Sequence, residues 1–156
     1  KLLFLPEIFP GIHFIIAQPK THAEETASIL NGLRDNHLDL STLMSSLEDY
    51  MAVIANCDAV VSTDTAACHL AEALGKSSLI LYGPTRDEMW IRYHRKVSPL
   101  RAQYVGQTCK SPCGLTKNME EGCPEAVFLG TQYSPCLLSI SKTKIQSAFQ
   151  KLMEDC

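Results

Sequence analysis

The chain has 156 residues, of which 46% are hydrophobic and 20% are charged, and it carries a formal net charge of −3. This size suits one domain with its own core, and the charge balance excludes a strongly basic surface for nucleic acid. No apolar run reaches the roughly 20 residues of a membrane-spanning helix. We therefore expect a single domain over residues 1–156, with no nucleic-acid partner and at most peripheral association with a membrane.

Apolar runs alternate with amphipathic segments in the first part of the chain. In chain order they predict a strand at residues 12–17, a helix from Thr21 to about residue 33, a break at 36–39, a very short strand or a loop at 40–43, and a helix at 45–56. The first helix has a capping-box spacing, since Glu24 stands three residues after Thr21.

The second part of the chain continues the alternation and then loses it. It predicts a strand at residues 58–62, a helix at 65–74 closed by Gly75, a strand at 78–82, an irregular stretch rich in Pro, Gly and Cys at 95–137, and a final helix at 141–153. Strands that alternate with helices are typical of a parallel sheet with helices on both faces. We therefore predict an α/β fold with a Rossmann-like sheet.

The turn after the strand at 58–62 is unusually polar, because it reads Ser62-Thr63-Asp64-Thr65. Ligands of parallel α/β sheets gather at the carboxyl ends of strands, and a helix N-terminus offers unpaired N–H groups to an anion. His69 follows Thr65 on the same helix face. The turn is also explained without a ligand, as an N-cap supplied by Thr63, Asp64 or Thr65 with a structural His69. No dinucleotide glycine motif and no P-loop is present.

The run "DAVVSTDTAACHLAEALGKSSLILYGPTRDEMW" resembles the signature of glycosyltransferase family 9, the lipopolysaccharide heptosyltransferases. The matching residues are Asp64, Thr65, His69, Leu70, Ala71, Ala73, Leu74, Gly75, Gly83, Pro84, Thr85 and Trp90. The resemblance implies a GT-B enzyme, built from two Rossmann-like domains that face each other across a cleft. This chain resembles the C-terminal, donor-binding domain, followed by an irregular Cys-rich tail and a C-terminal helix.

The resemblance also implies roles for individual residues. The donor-binding set comprises Glu24 toward the ribose, Met44 in the loop at 43–46 beside the adenine, Asp64 at the sugar hydroxyls, Thr65, Ala66 and Ala67 at the diphosphate, His69 near the phosphates or holding the loop, and Thr85 in the Gly-Pro-Thr turn. The family has glycine where this chain has Ala66. A Cβ there limits the approach of phosphate to the backbone and disfavours a positive φ.

The function that we expect is transfer of a heptose or hexose from an ADP-linked donor, in lipopolysaccharide or related glycan synthesis in the bacterial cytoplasm, at most at the inner face of the membrane. No cofactor is expected. The catalytic base is expected on an N-terminal acceptor-binding domain, which leaves this chain inactive alone. Because the sequence lacks a starting Met, we expect it to be part of a longer protein. The alternative is a non-catalytic nucleotide- or protein-binding module that kept the fold.

Seven cysteines are present, and four of them crowd the irregular stretch. Cys109, Cys113, Cys123 and Cys136 are candidates for a zinc or iron–sulfur site, although their spacing lacks paired C-x2-C motifs. A cytosolic enzyme is expected to keep its thiols reduced. We therefore predict reduced thiols and no metal, with a zinc-dependent structural module as a further alternative. Cys57 and Cys68 are predicted to be buried small hydrophobic residues.

Overall fold

The computed structural model of the protein describes residues 2–18, 27, 30–114 and 123–156. The chain divides into two compact units, Lys1–Val53 and Ile54–Cys156. The elements of the described ranges are α1 (Leu5–Ile8), β1 (Phe14–Ile16), β2 (His37–Asp39), α2 (Leu47–Ala55), β3 (Ala59–Thr63), α3 (Ala66–Ala73), β4 (Ser77–Tyr82), α4 (Asp87–Trp90), β5 (Val97–Arg101), α5 (Pro124–Phe128), α6 (Pro135–Ser139) and α7 (Lys142–Glu154). None of the helices in these ranges has the length and apolar character needed to cross a bilayer.

The first unit contains a parallel pair of strands, in which Phe14 of β1 lies opposite His37 of β2. The strand predicted at 12–17 is confirmed as β1, whereas the break predicted at 36–39 is wrong because β2 occupies it. Leu38 is the one apolar residue of β2, so the strand has no hydrophobic run that a sequence pattern could detect. The predicted helix that begins at Thr21 falls mostly outside the described residues.

The second unit is built on a parallel sheet in the order β3-β4-β5. The central strand β4 is buried on both faces, since its successive residues Leu79 to Tyr82 are all nearly inaccessible to solvent. Helix α3 packs against β3 and β4, and helix α7 packs against β4 and β5. Parallel sheets flanked by helices confirm the predicted Rossmann-like α/β fold.

The helices predicted at 45–56, 65–74 and 141–153 are confirmed as α2, α3 and α7. Gly75 ends α3 with a φ of 69°, a left-handed conformation that favours glycine. At the start of α2, the Ser46 hydroxyl accepts from the Asp49 N–H at 3.1 Å, and the Asp49 carboxylate accepts from the Ser46 N–H at 3.1 Å. These bonds form a reciprocal capping box.

The stretch at 95–137, predicted to lack regular elements, contains β5, α5 and α6, so that prediction is wrong. Strand β5 pairs with β4 from Ser78↔Val97 to Tyr82↔Arg101. It carries Pro99, which a sequence pattern counts against a strand. Proline is tolerated there because β5 lies at the edge of its sheet among the described strands and pairs on one side only.

Candidate functional site

A polar turn joins the carboxyl end of β3 to helix α3. Thr65 occupies the N-cap position with an extended backbone (φ −147°, ψ 179°), yet no side chain caps the helix. Instead, the Thr65 hydroxyl lies 3.1 Å from the Ser62 hydroxyl. The alternative explanation of the turn is thus met in position only, because Thr65 is the N-cap residue but its hydroxyl lies beside Ser62 and makes no capping bond. The first turn of α3 keeps its capacity to donate N–H groups to an anion.

The two alanines that begin α3 are in different environments. Ala66 is exposed at the first helical position, whereas Ala67 is 1% exposed and belongs to the core. Among the described residues, no residue other than glycine has a positive φ. The backbone at Ala66 therefore does not require the glycine that the family carries at this position, and its Cβ introduces no strain.

A cluster of ring and thiol groups lies beside this turn. The exposed His69 ring meets the His94 ring edge to face, with 5.2 Å between centroids. The fully buried Cys68 thiol lies 3.7 Å from the Tyr82 hydroxyl and 3.7 Å from His94 Nδ1. Burial raises the pKa of the Cys68 thiol and the pKa of the Tyr82 phenol. Both groups are therefore neutral near pH 7, and Cys68 is confirmed as a buried small residue.

His94 is held beside His69 by a carboxylate of α3. The Glu72 carboxylate accepts from the Arg95 N–H at 3.0 Å and from the Lys96 N–H at 3.2 Å. Sequence reasoning missed His94 because it appeared only as one member of a short basic cluster at residues 92–96. It stands 26 residues from Cys68, a separation that no motif spacing connects.

Thr85 lies in the Gly-Pro-Thr turn after β4, and it lines a cavity of about 340 Å³. None of residues 62–69, which form the polar turn and the start of α3, lines this cavity. The Thr85 Oγ1 atom is buried and has no hydrogen-bond partner in the part of the chain that the structure describes. A Cβ at Gly83 would come within 3.0 Å of Leu137 Cγ and Cys136 Sγ, so this glycine permits close packing of α6.

The remaining predicted donor-binding residues are placed as follows. Asp64 is half-buried directly after β3, and the adjacent Thr65, not Asp64, occupies the N-cap position. Met44 lies in the first unit, in the loop after β2, where its N–H bonds the Leu40 carbonyl at 3.2 Å. Glu24 lies outside the described residues.

All seven cysteines lie in the described ranges, and none of them forms a disulfide there. Cys136 is buried, with its Sγ atom 3.1 Å from the Ser134 hydroxyl. Cys57 is only half-buried, contrary to prediction, because it follows the last turn of α2 and does not lie inside an element. Within the described residues, no group of three or more His, Cys, Asp or Glu side chains is arranged to hold a metal ion.

Parallel sheets flanked by helices, with a polar strand-to-helix turn at the carboxyl edge, define a Rossmann-like α/β protein. The family model for glycosyltransferase family 9 (heptosyltransferase) matches residues 11–119. The chain therefore belongs to glycosyltransferase family 9.

Among solved structures, the ADP-heptose LPS heptosyltransferase II of E. coli is similar, with 19% sequence identity and a TM-score of 0.68. The match covers 99% of this chain and 40% of the E. coli chain, so the two share a fold over that portion. The chain thus spans about two fifths of the length of that enzyme. No curated protein sequence matches this chain.

Proposed function

We propose that this chain is the donor-binding portion of a glycosyltransferase that transfers a heptose or a related sugar from an ADP-linked donor. The observation that carries the proposal is the polar turn at residues 62–66, which ends β3 and leaves the first N–H groups of α3 without a side-chain cap. Family membership supports this choice of donor and of a glycan pathway, as does the fold shared with the ADP-heptose LPS heptosyltransferase II of E. coli.

Glycosyl transfer from a nucleotide diphosphate develops negative charge on the leaving diphosphate. The N-terminus of α3 carries a positive partial charge and unpaired N–H donors, which stabilise such charge. In the proposed complex, the Ala66 and Ala67 backbone and the Thr65 hydroxyl bind the diphosphate. Asp64 accepts hydrogen bonds from the sugar hydroxyls, and His69, which is exposed one turn into the helix, approaches the phosphates.

The reaction also needs a base that removes the proton of the acceptor hydroxyl. We assign this base to an N-terminal acceptor-binding domain of the same protein, which places the transfer between the two domains. This chain alone would then bind the donor and show no turnover. A cytoplasmic location, at most at the inner face of a bacterial membrane, follows from the same proposal because ADP-linked sugars are cytosolic substrates.

Calorimetric titration of the full-length protein with ADP tests the donor site. We expect Thr65→Val to weaken ADP binding about tenfold, since a hydrogen bond to a charged group contributes about 1.5–3 kcal/mol. Thr63→Val is the matched control, because Thr63 is the last residue of β3 and its change should leave the affinity within about twofold. Absence of ADP binding by the wild-type protein would instead favour the non-catalytic module.

A further inference from the structure

The cavity beside Thr85 lies at the carboxyl ends of β4 and β5, the edge of a parallel sheet where ligands collect. Its volume of about 340 Å³ lies near the lower end of the range for small-molecule sites. The lining residues that matter here are Tyr82, Thr85, Asp87, Arg101, Gln103 and Tyr104. Since no residue of the 64–69 turn contributes, the proposed diphosphate site leaves this cavity unassigned.

One wall of the cavity is the segment at residues 102–112, here called the cavity loop. The Ser111 hydroxyl donates to the Ala102 carbonyl at 3.0 Å and accepts from the Tyr104 N–H at 3.0 Å. The Ser111 N–H also bonds the Tyr104 carbonyl, and a backbone bridge joins Val105 to Lys110. These bonds give the loop a defined shape without help from a ligand.

The tip of the cavity loop is anchored by Glu125 of α5, which is 1% exposed. Its carboxylate accepts from the Tyr104 hydroxyl at 2.9 Å, the Gln107 N–H at 3.0 Å, and the Thr108 N–H and hydroxyl at 2.7 and 2.5 Å. A Cβ at Gly106 would overlap the carboxylate, so the loop needs glycine at this position. The bond to Glu125 raises the pKa of Tyr104 to about 12, which keeps the phenol neutral.

The cavity is also lined by an ion pair whose carboxylate is buried and whose guanidinium is partly exposed. Asp87 is 2% exposed, and its carboxylate accepts from Arg101 Nε at 2.6 Å and from Arg101 Nη2. The Arg101 side chain itself is 54% exposed. A guanidinium has five N–H donors, so Arg101 retains donors for a ligand while it is fixed in place by Asp87.

The charges around the cavity select among ligand classes. Two lining carboxylates, Asp87 and Glu88, balance two lining cations, Arg101 and Lys110. The negative charge of a diphosphate would be repelled by both carboxylates, so the cavity offers a diphosphate no net electrostatic attraction. A neutral sugar ring fits better, because its hydroxyls can pair with Arg101 and Gln103 while its C–H face lies against the partly exposed Tyr104 side chain. The buried Thr85 hydroxyl, which has no partner in the described chain, is a further group for a sugar hydroxyl.

We propose that this cavity binds a neutral sugar ring, which goes beyond the diphosphate site and rests on the proposed glycosyltransferase function. Strands of a sheet lie about 4.8 Å apart, so the ends of β4 and β5 are one and two strand spacings from the turn that follows β3. That separation matches the reach of a sugar joined to a diphosphate. The shared chemistry is the polyhydroxylated ring, which the donor or the acceptor can supply.

The test uses the full-length protein and three probes: methyl α-D-mannopyranoside, ADP and ADP-glucose. Ligand-observed NMR is expected to show mannoside binding that weakens at least fivefold in Gln103→Ala, while ADP affinity stays within twofold. Gln150→Ala, an exposed glutamine on α7, is the matched control. Arg101→Lys is a second variant; Gln103→Ala leaves the Asp87–Arg101 pair in place, so it is informative even if Arg101→Lys impairs folding.

Competition assigns the source of the sugar. Displacement of the mannoside by ADP-glucose but not by ADP indicates the sugar of the donor, and simultaneous binding of both probes indicates the acceptor. Two results would overturn the cavity site while leaving the proposed function intact. In the first, the protein binds ADP but not the mannoside. In the second, it binds both, and mannoside affinity is unchanged in Gln103→Ala and Arg101→Lys. Mannoside binding that responds to these variants while ADP fails to bind would support the cavity and contradict the ADP site.

Discussion

The turn at residues 62–69 and the cavity loop at 102–112 lie at the carboxyl ends of strands in one sheet, yet they are built differently. The turn is formed by consecutive residues between β3 and α3, so its polar groups are neighbours in the sequence. The cavity loop depends on distant partners, since Glu125 bonds Thr108 across 17 residues and Arg101 bonds Asp87 across 14. The turn can be recognised as a sequence motif because its residues are consecutive. The cavity loop cannot, because its bonding partners are distant in the sequence.

The two regions also differ in how their polar groups are satisfied. The Glu125 carboxylate accepts four hydrogen bonds, and they leave it little capacity for a ligand. In the turn, the Thr65 hydroxyl lies 3.1 Å from the Ser62 hydroxyl, and no side chain caps α3. Glu125 is therefore a structural carboxylate that shapes the cavity loop, whereas the first turn of α3 keeps N–H donors without a side-chain cap.

The largest effect is expected from Glu125→Ala, which separates the two regions. Loss of the carboxylate leaves the Tyr104, Gln107 and Thr108 donors without their acceptor, so the cavity loop loses its anchor. We expect the melting temperature to fall by more than about 5 °C and mannoside binding to be lost. ADP affinity should change less than twofold, because the turn shares no bond with Glu125.

Glu154→Gln is the control for this substitution, because Glu154 is an exposed carboxylate at the end of α7. Equal loss of ADP and mannoside binding in Glu125→Ala would show that the turn and the cavity loop form one cooperative structure, and would contradict their independent construction. Scanning calorimetry measures the melting temperature, and titrations with ADP and with the mannoside measure the two affinities.

A pH dependence is the second expectation. The hydrogen bonds to Glu125, above all from the Thr108 hydroxyl, lower its pKa to about 2 from an ordinary value of 4.5. A depressed carboxylate pKa contributes stability that is present above pH 4.5 and is lost as the pH falls toward 2. Urea unfolding between pH 5 and 2 should therefore show a decline in stability that is smaller in Glu125→Gln. An identical decline in the wild type and in Glu125→Gln would mean that carboxylates other than Glu125 cause the pH dependence.

The sequence predicted the turn far better than the cavity. β3, α3 and β4 follow hydrophobic periodicity, and Gly75 marks the end of α3, so local patterns suffice there. Strand β2 has a single apolar residue and β5 contains Pro99, and both exist because a neighbouring strand supplies the hydrogen bonds. Glu125 and Arg101 looked like ordinary surface charges, because nothing local reveals the donors and the carboxylate that pair with them.

A smaller effect compares two helix starts. The Ser141 hydroxyl accepts from the Lys144 N–H at 3.2 Å at the start of α7, whereas Thr65 makes no such bond at α3. We therefore expect Ser141→Ala to lower the free energy of unfolding by about 1 kcal/mol, and Thr65→Ala to lower it by less than about 0.5 kcal/mol. Urea denaturation measures both. A larger loss of unfolding free energy in Thr65→Ala would mean that the Thr65 hydroxyl stabilises the helix and is not available to a ligand.

The smallest effect is expected at Ala66, where the chain departs from its family. Restoring glycine removes an exposed methyl group from the first helical position, and we expect a loss of stability below about 1 kcal/mol. Because the backbone at Ala66 has no positive φ, glycine relieves no strain. ADP affinity should therefore change by less than about threefold in calorimetry of Ala66→Gly, with Ala73→Gly at the exposed end of α3 as the control. A gain of tenfold or more would mean that the Ala66 Cβ holds the diphosphate away from the N–H groups of α3, and the turn would then be a weakened form of the family site.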